Sequence, residues 1–313
     1  MIDLSVAVPV YNEEDVLKEL LLRLKSALEK MSISYEILLI DDGSKDKTRE
    51  MVVDFAREDS HIKALFFSRN FGHQAAVSAA LEHALGEAVV VMDGDLQDPP
   101  EFISELYKKH KEGFDVVYAV RKKRKESFLK RFAYSSFYIL LSHFSGPIKQ
   151  PRDAGDFALM SRRVVDQMRS FREKNRYVRG LRSWVGFTQT GLEYERDKRY
   201  AGVTKYSFSK LFKLAYGGFF AHSGAPLFIV NFFGLLFALA AFVGILIILS
   251  LKLFTDKYIP GFASISILIL FIGGVELLSV GVIGEYIRRI YDEVKDRPLF
   301  VVERKINFDS DGK

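Results

Sequence analysis

The chain of 313 residues has no cysteine, which excludes disulfides and any thiolate metal site. It has a single tryptophan, Trp184 in "RGLRSWVGF", read here as a packing residue. It has no tandem repeat and no low-complexity linker. Its start, "MIDLSVAVPVYNEE", lacks the basic n-region of a signal peptide and reads as a strand. Two long apolar runs are nearly free of charge. Leu227–Leu251 holds no charged residue, and Ala263–Ile283 holds only Glu276. Each run is long enough to cross a hydrocarbon core of ~30 Å as a helix, so two spans are expected; two buried core helices are the alternative. Lys and Arg flank the pair, at Arg196, Lys198, Arg199, Lys205, Lys210 and Lys213 before it and Arg288, Arg289, Lys295 and Arg297 after it. The loop between holds only Lys252 and Lys257. That asymmetry predicts an inner-membrane protein with both termini cytoplasmic.

What is present in quantity is apolar and basic. Hydrophobic residues make up 49% of the chain, enough for a large core, and the net charge is +5. A basic surface suits an anionic membrane face or nucleic acid; the two apolar runs argue against nucleic acid. The composition divides the chain into 1–225, a charged domain, 226–285, the two runs, and 286–313, a polar tail.

The first hundred residues alternate strand and helix patterns. "LSVAVPV", "EILLID", "IKALFF", "EAVVVMD" and "FDVVYAV" are near-continuous apolar strands, with helical spacing between the early ones. Such strands belong to a mostly parallel, Rossmann-like α/β sheet covered on both faces, and ligands bind at the carboxyl ends of its strands. The polar residues gather there: Pro9, Tyr11 and Glu13 after the first strand, Asp41 and Asp42 after the second, Asp93, Asp95 and Gln97 after the fourth, and Arg121 after the fifth. Two like charges as close as those of Asp93-Gly94-Asp95 raise each other's pKa unless a cation sits beside them. Mg²⁺ takes one or two carboxylates plus substrate phosphates, so a phosphate-bearing ligand with a divalent cation is the chemistry this edge favours.

Other polar residues have blander readings. Asp42-Gly43-Ser44 also reads as a plain turn, Asp46 as a helix cap, and Asp98, before two prolines, as a cap. His73 reads as a loop residue lining the pocket at most. The stretches 128–144 and 206–224 read as interfacial amphipathic helices, with core helices the alternative for the first.

Five segments, "VAVPVYNEE", "LLIDDGSKDKT", "SRNFGHQAAV", "VVVMDGDLQDPPE" and "DAGDFALMSR", stand in a telling order and spacing. Through them the sequence resembles the inverting nucleotide-sugar glycosyltransferases of family two, which have the GT-A fold. Within that family it is similar to the polyprenyl-phosphate glycosyltransferases, the group of the dolichol-phosphate mannose synthases and bactoprenol glucosyltransferases. The resemblance covers nearly the whole chain, both apolar runs included. It implies that Pro9, Tyr11, Glu13, Asp41 and Asp42 form the nucleotide pocket, with Asp93 near the ribose and diphosphate. It implies Mg²⁺ or Mn²⁺ on Asp95 and Gln97, acceptor phosphate on Arg121 and Arg131, and Lys205 near the donor phosphates or the acceptor. It places Asp156 where the family keeps an active-site carboxylate, with Asp153 competing for that role. The implied partners are a nucleotide sugar, with UDP-glucose favoured over GDP-mannose, UDP-N-acetylglucosamine or UDP-aminoarabinose, a polyprenyl or undecaprenyl phosphate, and the membrane. Helix pairing or homo-oligomer contact is the reading for Glu276 and the glycines at 273, 274, 281 and 284.

Three alternatives are weaker. A processive polysaccharide synthase carries a Q-x-x-R-W motif, whereas this chain has "LRSWV". A catalytically dead scaffold is disfavoured by the intact Asp93-Gly94-Asp95 and Asp156. A sugar nucleotidyltransferase lacks its glycine-rich loop here.

Overall fold

The structure is a computed structural model that describes residues 2–121, 154–174, 176–195 and 261–308, with scattered positions between 230 and 254. It divides into two compact units. The first holds residues 1–128, 148–205 and 297–313, and the second 129–147 and 206–296.

The first unit is built on one sheet. Its strands are β1 (Leu4–Val10), β2 (Tyr35–Asp41), β3 (Ile62–Phe67), β4 (Ala88–Val91), β5 (Val116–Arg121), β6 (Ala154–Ser161), β7 (Gln189–Tyr194) and β8 (Val302–Ile306). They lie in the order β7-β5-β6-β4-β1-β2-β3-β8. β1 pairs in parallel with β2 and β4, and β2 with β3. β6 runs antiparallel between β4 and β5, and β8 runs antiparallel on the outer edge of β3.

The apolar strands are continuous because both faces are covered. Alternate side chains enter two cores. On one face Leu4, Val6, Val8, Ile37 and Leu39 pack with Leu17, Leu20 and Leu24 of α1 (Leu17–Glu29) and Val52 of α2 (Thr48–Glu58). On the other face Ala7, Leu38, Ile40 and Val89 pack with Ala76, Ala79 and Ala80 of α3 (His73–His83). Small residues let α3 lie close on the strands. α4 (Ile103–Lys111), α5 (Arg162–Ser170) and α6 (Val178–Trp184) complete the layers.

The strand order places the site. From β1 the chain winds outward to β2 and β3, then returns to lay β4 on the other side of β1. The segments leaving β1 and β4 therefore diverge at a topological switch point, where open α/β sheets form their binding crevice.

In the second unit, α7 (Phe262–Val294) is 33 residues long. It contains the second apolar run but continues through Glu285, Arg288, Arg289, Asp292 and Glu293. Several of these charges pair along the helix, Arg288 with Glu285 at 2.8 Å and with Asp292 at 2.9 Å. Among the described residues no helix is long and apolar enough to cross a membrane. This overturns the expectation of a multi-pass inner-membrane protein with both termini cytoplasmic. The amphipathic stretches 128–144 and 206–224 lie outside the described residues, as does most of the first apolar run.

Candidate active site

Asp93 and Asp156 arrive at the carboxyl edge from opposite directions. The β4–β6 register pairs Val91 with Ala158; carried two residues further, it sets Asp93 opposite Asp156. His73, the first residue of α3, stands between them. Its Nε2 lies 3.6 Å from Asp93 Oδ1 and 3.5 Å from Asp156 Oδ2. Arg179 of α6 closes the cluster, with Nε 3.3 Å from Asp156 Oδ1 and Nη2 3.2 Å from Oδ2. Beneath it the buried Arg182 donates to the carbonyl oxygens of Gly155 at 3.1 Å and Asp156 at 3.5 Å. Two carboxylates, one imidazole and one guanidinium thus converge from β4, β6, α3 and α6.

The electrostatics separate the two acids. Burial pushes Asp93 up to about 6; nearby His73 works against this, while the charges of Asp156, Asp98 and Asp95 add to it. Burial also pushes Asp156 up, but the His73 hydrogen bond and the Arg179 charge pull harder. The net effect holds Asp156 far below the usual carboxylate range. For His73, burial lowers the pKa, the Asp156 hydrogen bond and the Asp93 charge raise it, and the net shift is upward from 6.5. The cluster therefore holds an ionised Asp156 against Arg179 and against a His73 whose cationic form is favoured, beside an Asp93 pushed up to about 6.

Burial is the main cause of the upward shift of Asp93, and the neighbouring charges of Asp156, Asp98 and Asp95 add to it. Leu96 takes a left-handed conformation, φ 56°, and the Gln97 amide N–H donates to Asp95 Oδ1 at 3.2 Å. It is thus the backbone of Gln97 that meets Asp95. Among the described residues no group of three or more His, Asp or Glu side chains could hold a metal ion. The donor set fits a divalent cation completed by phosphate oxygens, not an all-protein cage.

Asp41 and Asp42 are both buried, Asp41 at 0% and Asp42 at 4% exposure. Each carboxylate organises a turn. Asp41 accepts the Ser44 amide at 3.2 Å and lies 3.3 Å from Arg49 Nε. Asp42 accepts the amides of Phe71 at 2.7 Å and Gly72 at 2.9 Å, directly before His73. Burial raises the pKa of both. The turn between them needs glycine: Gly43 has φ 71°, and a Cβ there would lie 2.5 Å from the carbonyl carbon of Arg69. Asp42-Gly43-Ser44 is thus a turn with a second task. Tyr11 is half-buried beside this loop, and Asn12 and Glu13 tie the β1 exit to it. Their amides donate to Ser44 Oγ at 3.0 Å and Thr48 Oγ1 at 2.9 Å. Pro9, at the end of β1, pairs with Ile40. Asp46 accepts the Thr48 amide at 3.0 Å, but the cap position of α2 is Lys47, which makes no side-chain cap bond.

Arg121 stands at the end of β5, beside the β6 residue that precedes Asp156. A Cβ on Gly155 would come within 3.1 Å of its Nη2, and it hydrogen-bonds the Tyr194 hydroxyl. Tyr194 donates to Asp98, which is 1% exposed. Asp98 is therefore not the cap that its place before Pro99-Pro100 predicts; it is a buried acceptor, and the 3-10 turn Pro100–Phe102 has no side-chain cap. Trp184 also departs from expectation: it is 59% exposed and meets Phe171 edge-on at 5.4 Å. Arg131, Asp153 and Lys205 lie outside the described residues. Sequence reasoning missed Arg179 and Arg182 and gave His73 too small a place. The two arginines carried no signal beyond their spacing on a short helix; the "FGH" before a helix was visible for His73.

Residues 5–169 match Glycosyl transferase family 2. The chain belongs to that family. An uncharacterized glycosyltransferase of Bacillus subtilis, YkcC, is 48% identical over 99% of this chain and 96% of its own length. A bactoprenol glucosyl transferase of Shigella phage SfII is 39% identical over 96% of this chain and 97% of its own. A prophage bactoprenol glucosyl transferase homolog of Escherichia coli is 40% identical over 96% of this chain and 98% of its own. The family-2 chain is a glycosyltransferase, and its α/β sheet, mostly parallel with antiparallel insertions, is of the GT-A type that the sequence predicts. The site described here sits at the crevice of that sheet.

Proposed function

We propose that the protein transfers a sugar from a nucleoside diphosphate to a polyprenyl phosphate, with inversion at the anomeric carbon. The observation that carries this reading is the His73–Asp93–Asp156–Arg179 cluster at the switch point. The near-full-length likeness to bactoprenol glucosyl transferases supports the acceptor and favours UDP-glucose as donor.

Each residue then has a task. The loops framed by Asp41 and Asp42, with Pro9, Tyr11 and Glu13, seat the nucleotide, and Asp93 faces its ribose and diphosphate. Asp95 with Gln97 would hold Mg²⁺ or Mn²⁺, which when bound supplies Lewis-acid neutralisation of the leaving diphosphate. The acceptor is already an anion at neutral pH, because its second phosphate pKa is near ~6. It needs no strong base, and an Asp156 held ionised by two cations would be a poor one. Asp156 instead places fixed negative charge where the sugar ring becomes positive. Arg121 and Arg131 receive the acceptor phosphate, Lys205 meets one of the phosphates, and positioning supplies much of the rate.

The test is direct. Purified chain in detergent, with undecaprenyl phosphate and Mn²⁺ or Mg²⁺, is offered labelled UDP-glucose, GDP-mannose, UDP-N-acetylglucosamine and UDP-aminoarabinose in parallel. Lipid-extractable label from UDP-glucose, lost with EDTA and in Asp95→Ala and Asp156→Ala, is the expected result. Label from a different donor moves the sugar assignment. Label that survives both substitutions refutes the site.

A further inference from the structure

The C-terminal tail returns to the first unit and closes on the nucleotide side of the sheet. β8 lies antiparallel on β3, pairing Phe66 with Arg304 and Phe67 with Val302. The register jumps between those pairs and leaves Glu303 unpaired in a bulge. A bulge re-aims the side chain it carries, and here Glu303 meets Arg49, with Oε2 2.8 Å from Nη2. The same guanidinium reaches the buried Asp41 at 3.3 Å and lies over the Phe66 ring at 5.3 Å. One arginine, on the first turn of α2, therefore joins the tail to the carboxylate that organises the Asp41–Ser44 turn.

A second tether runs in parallel. Phe300 stacks on Phe67 at 5.0 Å, and Phe67 meets Phe71 edge-on at 5.7 Å. Phe71 is the residue whose amide Asp42 holds, two positions before His73. The Ser68 amide donates to the Val301 carbonyl at 3.0 Å. At its far end the tail is pinned by Asn307, whose side-chain amide donates to the Ile62 carbonyl at 2.8 Å. The two tethers are different in kind, one ionic and one aromatic. They end on the two adjacent acids of the proposed nucleotide pocket.

We infer that the C-terminal strand is part of the donor site, with Glu303 and Arg49 as positioning residues that set the Asp41 turn for the nucleotide. This rests on the reading that the Asp41–Asp42 turn seats the nucleotide. Arg49 is the cation that pairs with the buried Asp41, 3.3 Å away, and a buried carboxylate that loses its cation becomes costly to keep ionised. The turn then loses the brace that fixes the Ser44 amide and, through Ser44 Oγ, the Asn12 amide of the β1 exit.

The test is UDP affinity by calorimetry on the full chain, at a temperature well below melting of every variant, beside the KM for the lipid acceptor. Asp41→Asn serves as the check on the pocket itself. Arg49→Gln is expected to weaken UDP about tenfold and Glu303→Gln about threefold, the latter pair being half-exposed. The acceptor KM should not move, and Glu303→Asp should restore most of the loss. Normal UDP affinity in both Arg49→Gln and Glu303→Gln, with binding weakened in Asp41→Asn, overturns the inference and leaves the pocket standing. Normal affinity in Asp41→Asn as well overturns the pocket and the inference with it. A lowered melting temperature without a change in UDP affinity gives the tail a structural role only and overturns the inference.

Discussion

Arg179 meets Asp156 with both prongs of its guanidinium, Nε to Oδ1 at 3.3 Å and Nη2 to Oδ2 at 3.2 Å. A two-point contact fixes the plane of the carboxylate as well as its charge. Lysine can supply the charge but not the plane. Arg179→Lys is therefore expected to lower kcat about tenfold with little change in the KM for the donor. Arg179→Ala should lower kcat further, because Asp156 loses a cation and an orienting group together. Steady-state kinetics on the two variants checks this. An undiminished kcat in Arg179→Lys would show that charge alone matters.

Asp93 should cost stability while it serves the site. Its pKa is raised from 3.8 to about 6 by burial and by Asp156, Asp98 and Asp95. A carboxyl whose folded pKa lies above its unfolded one destabilises the fold as pH rises through that interval. The penalty is absent below pH 3.8 and complete above about 6. The shift corresponds to at most about 3 kcal/mol, less after allowance for partial exposure. Asp93→Asn should raise the melting temperature in EDTA at pH 7.5, lose that advantage near pH 4, and abolish transfer. Thermal denaturation at the two pH values decides it; equal shifts at both would remove the electrostatic explanation.

His73 carries the opposite sign. Its pKa is raised above 6.5 because Asp156 and Asp93 together outweigh burial and the repulsion of Arg179. The stability it contributes is present near and below pH 6.5 and is lost as pH rises through the higher folded value. His73→Gln should therefore destabilise the protein most near pH 6.5 and least near pH 9. The wild-type rate should fall on the alkaline side as the imidazolium is lost, and that limb should be missing in the variant. A pH–rate profile with the same alkaline limb in both proteins would exclude His73 as its source.

The parts of the fold that could be read from sequence are those whose pattern repeats a physical period. β1 to β4 are buried on both faces and so are unbroken in apolar residues. α1 and α2 show one apolar stripe each. β7 and β8 escaped because "QTGLEY" and "VERKI" lie toward the sheet edges with exposed positions, and three of the five residues of "VERKI" are charged. β6 escaped because its first turn of sequence, "AGDF", carries a site acid rather than a strand pattern. Asp41, Asp42, Asp93 and Asp95 were readable because each closes or follows a strand at the carboxyl edge, whereas Asp156 came only through the family resemblance. Arg179 was not, and His73 was readable only as a residue lining the pocket, since their contacts with Asp156 exist only after α3 and α6 pack on the sheet. Asp98 shows the limit of local rules: its neighbours predict a cap, while a strand nearly a hundred residues away supplies its hydrogen bond.

That bond makes the last prediction. The Tyr194 hydroxyl donates to the buried Asp98 and also meets Arg121, the cation assigned here to the acceptor phosphate. Burial and the Asp98 charge push the phenol well above its ordinary pKa, so it remains a donor at any working pH. Tyr194→Phe keeps the ring that stacks with Phe102 at 5.4 Å and meets Phe157 edge-on at 5.9 Å. It removes one donor from a buried carboxylate, which costs about 1–3 kcal/mol, and frees Arg121 from one of its contacts. The expected result is a lower melting temperature, a raised KM for the lipid acceptor, and an unchanged affinity for UDP. Arg121 lies apart from the Asp41–Asp42 loops, so a change confined to the donor side would place Arg121 with the nucleotide and not with the acceptor.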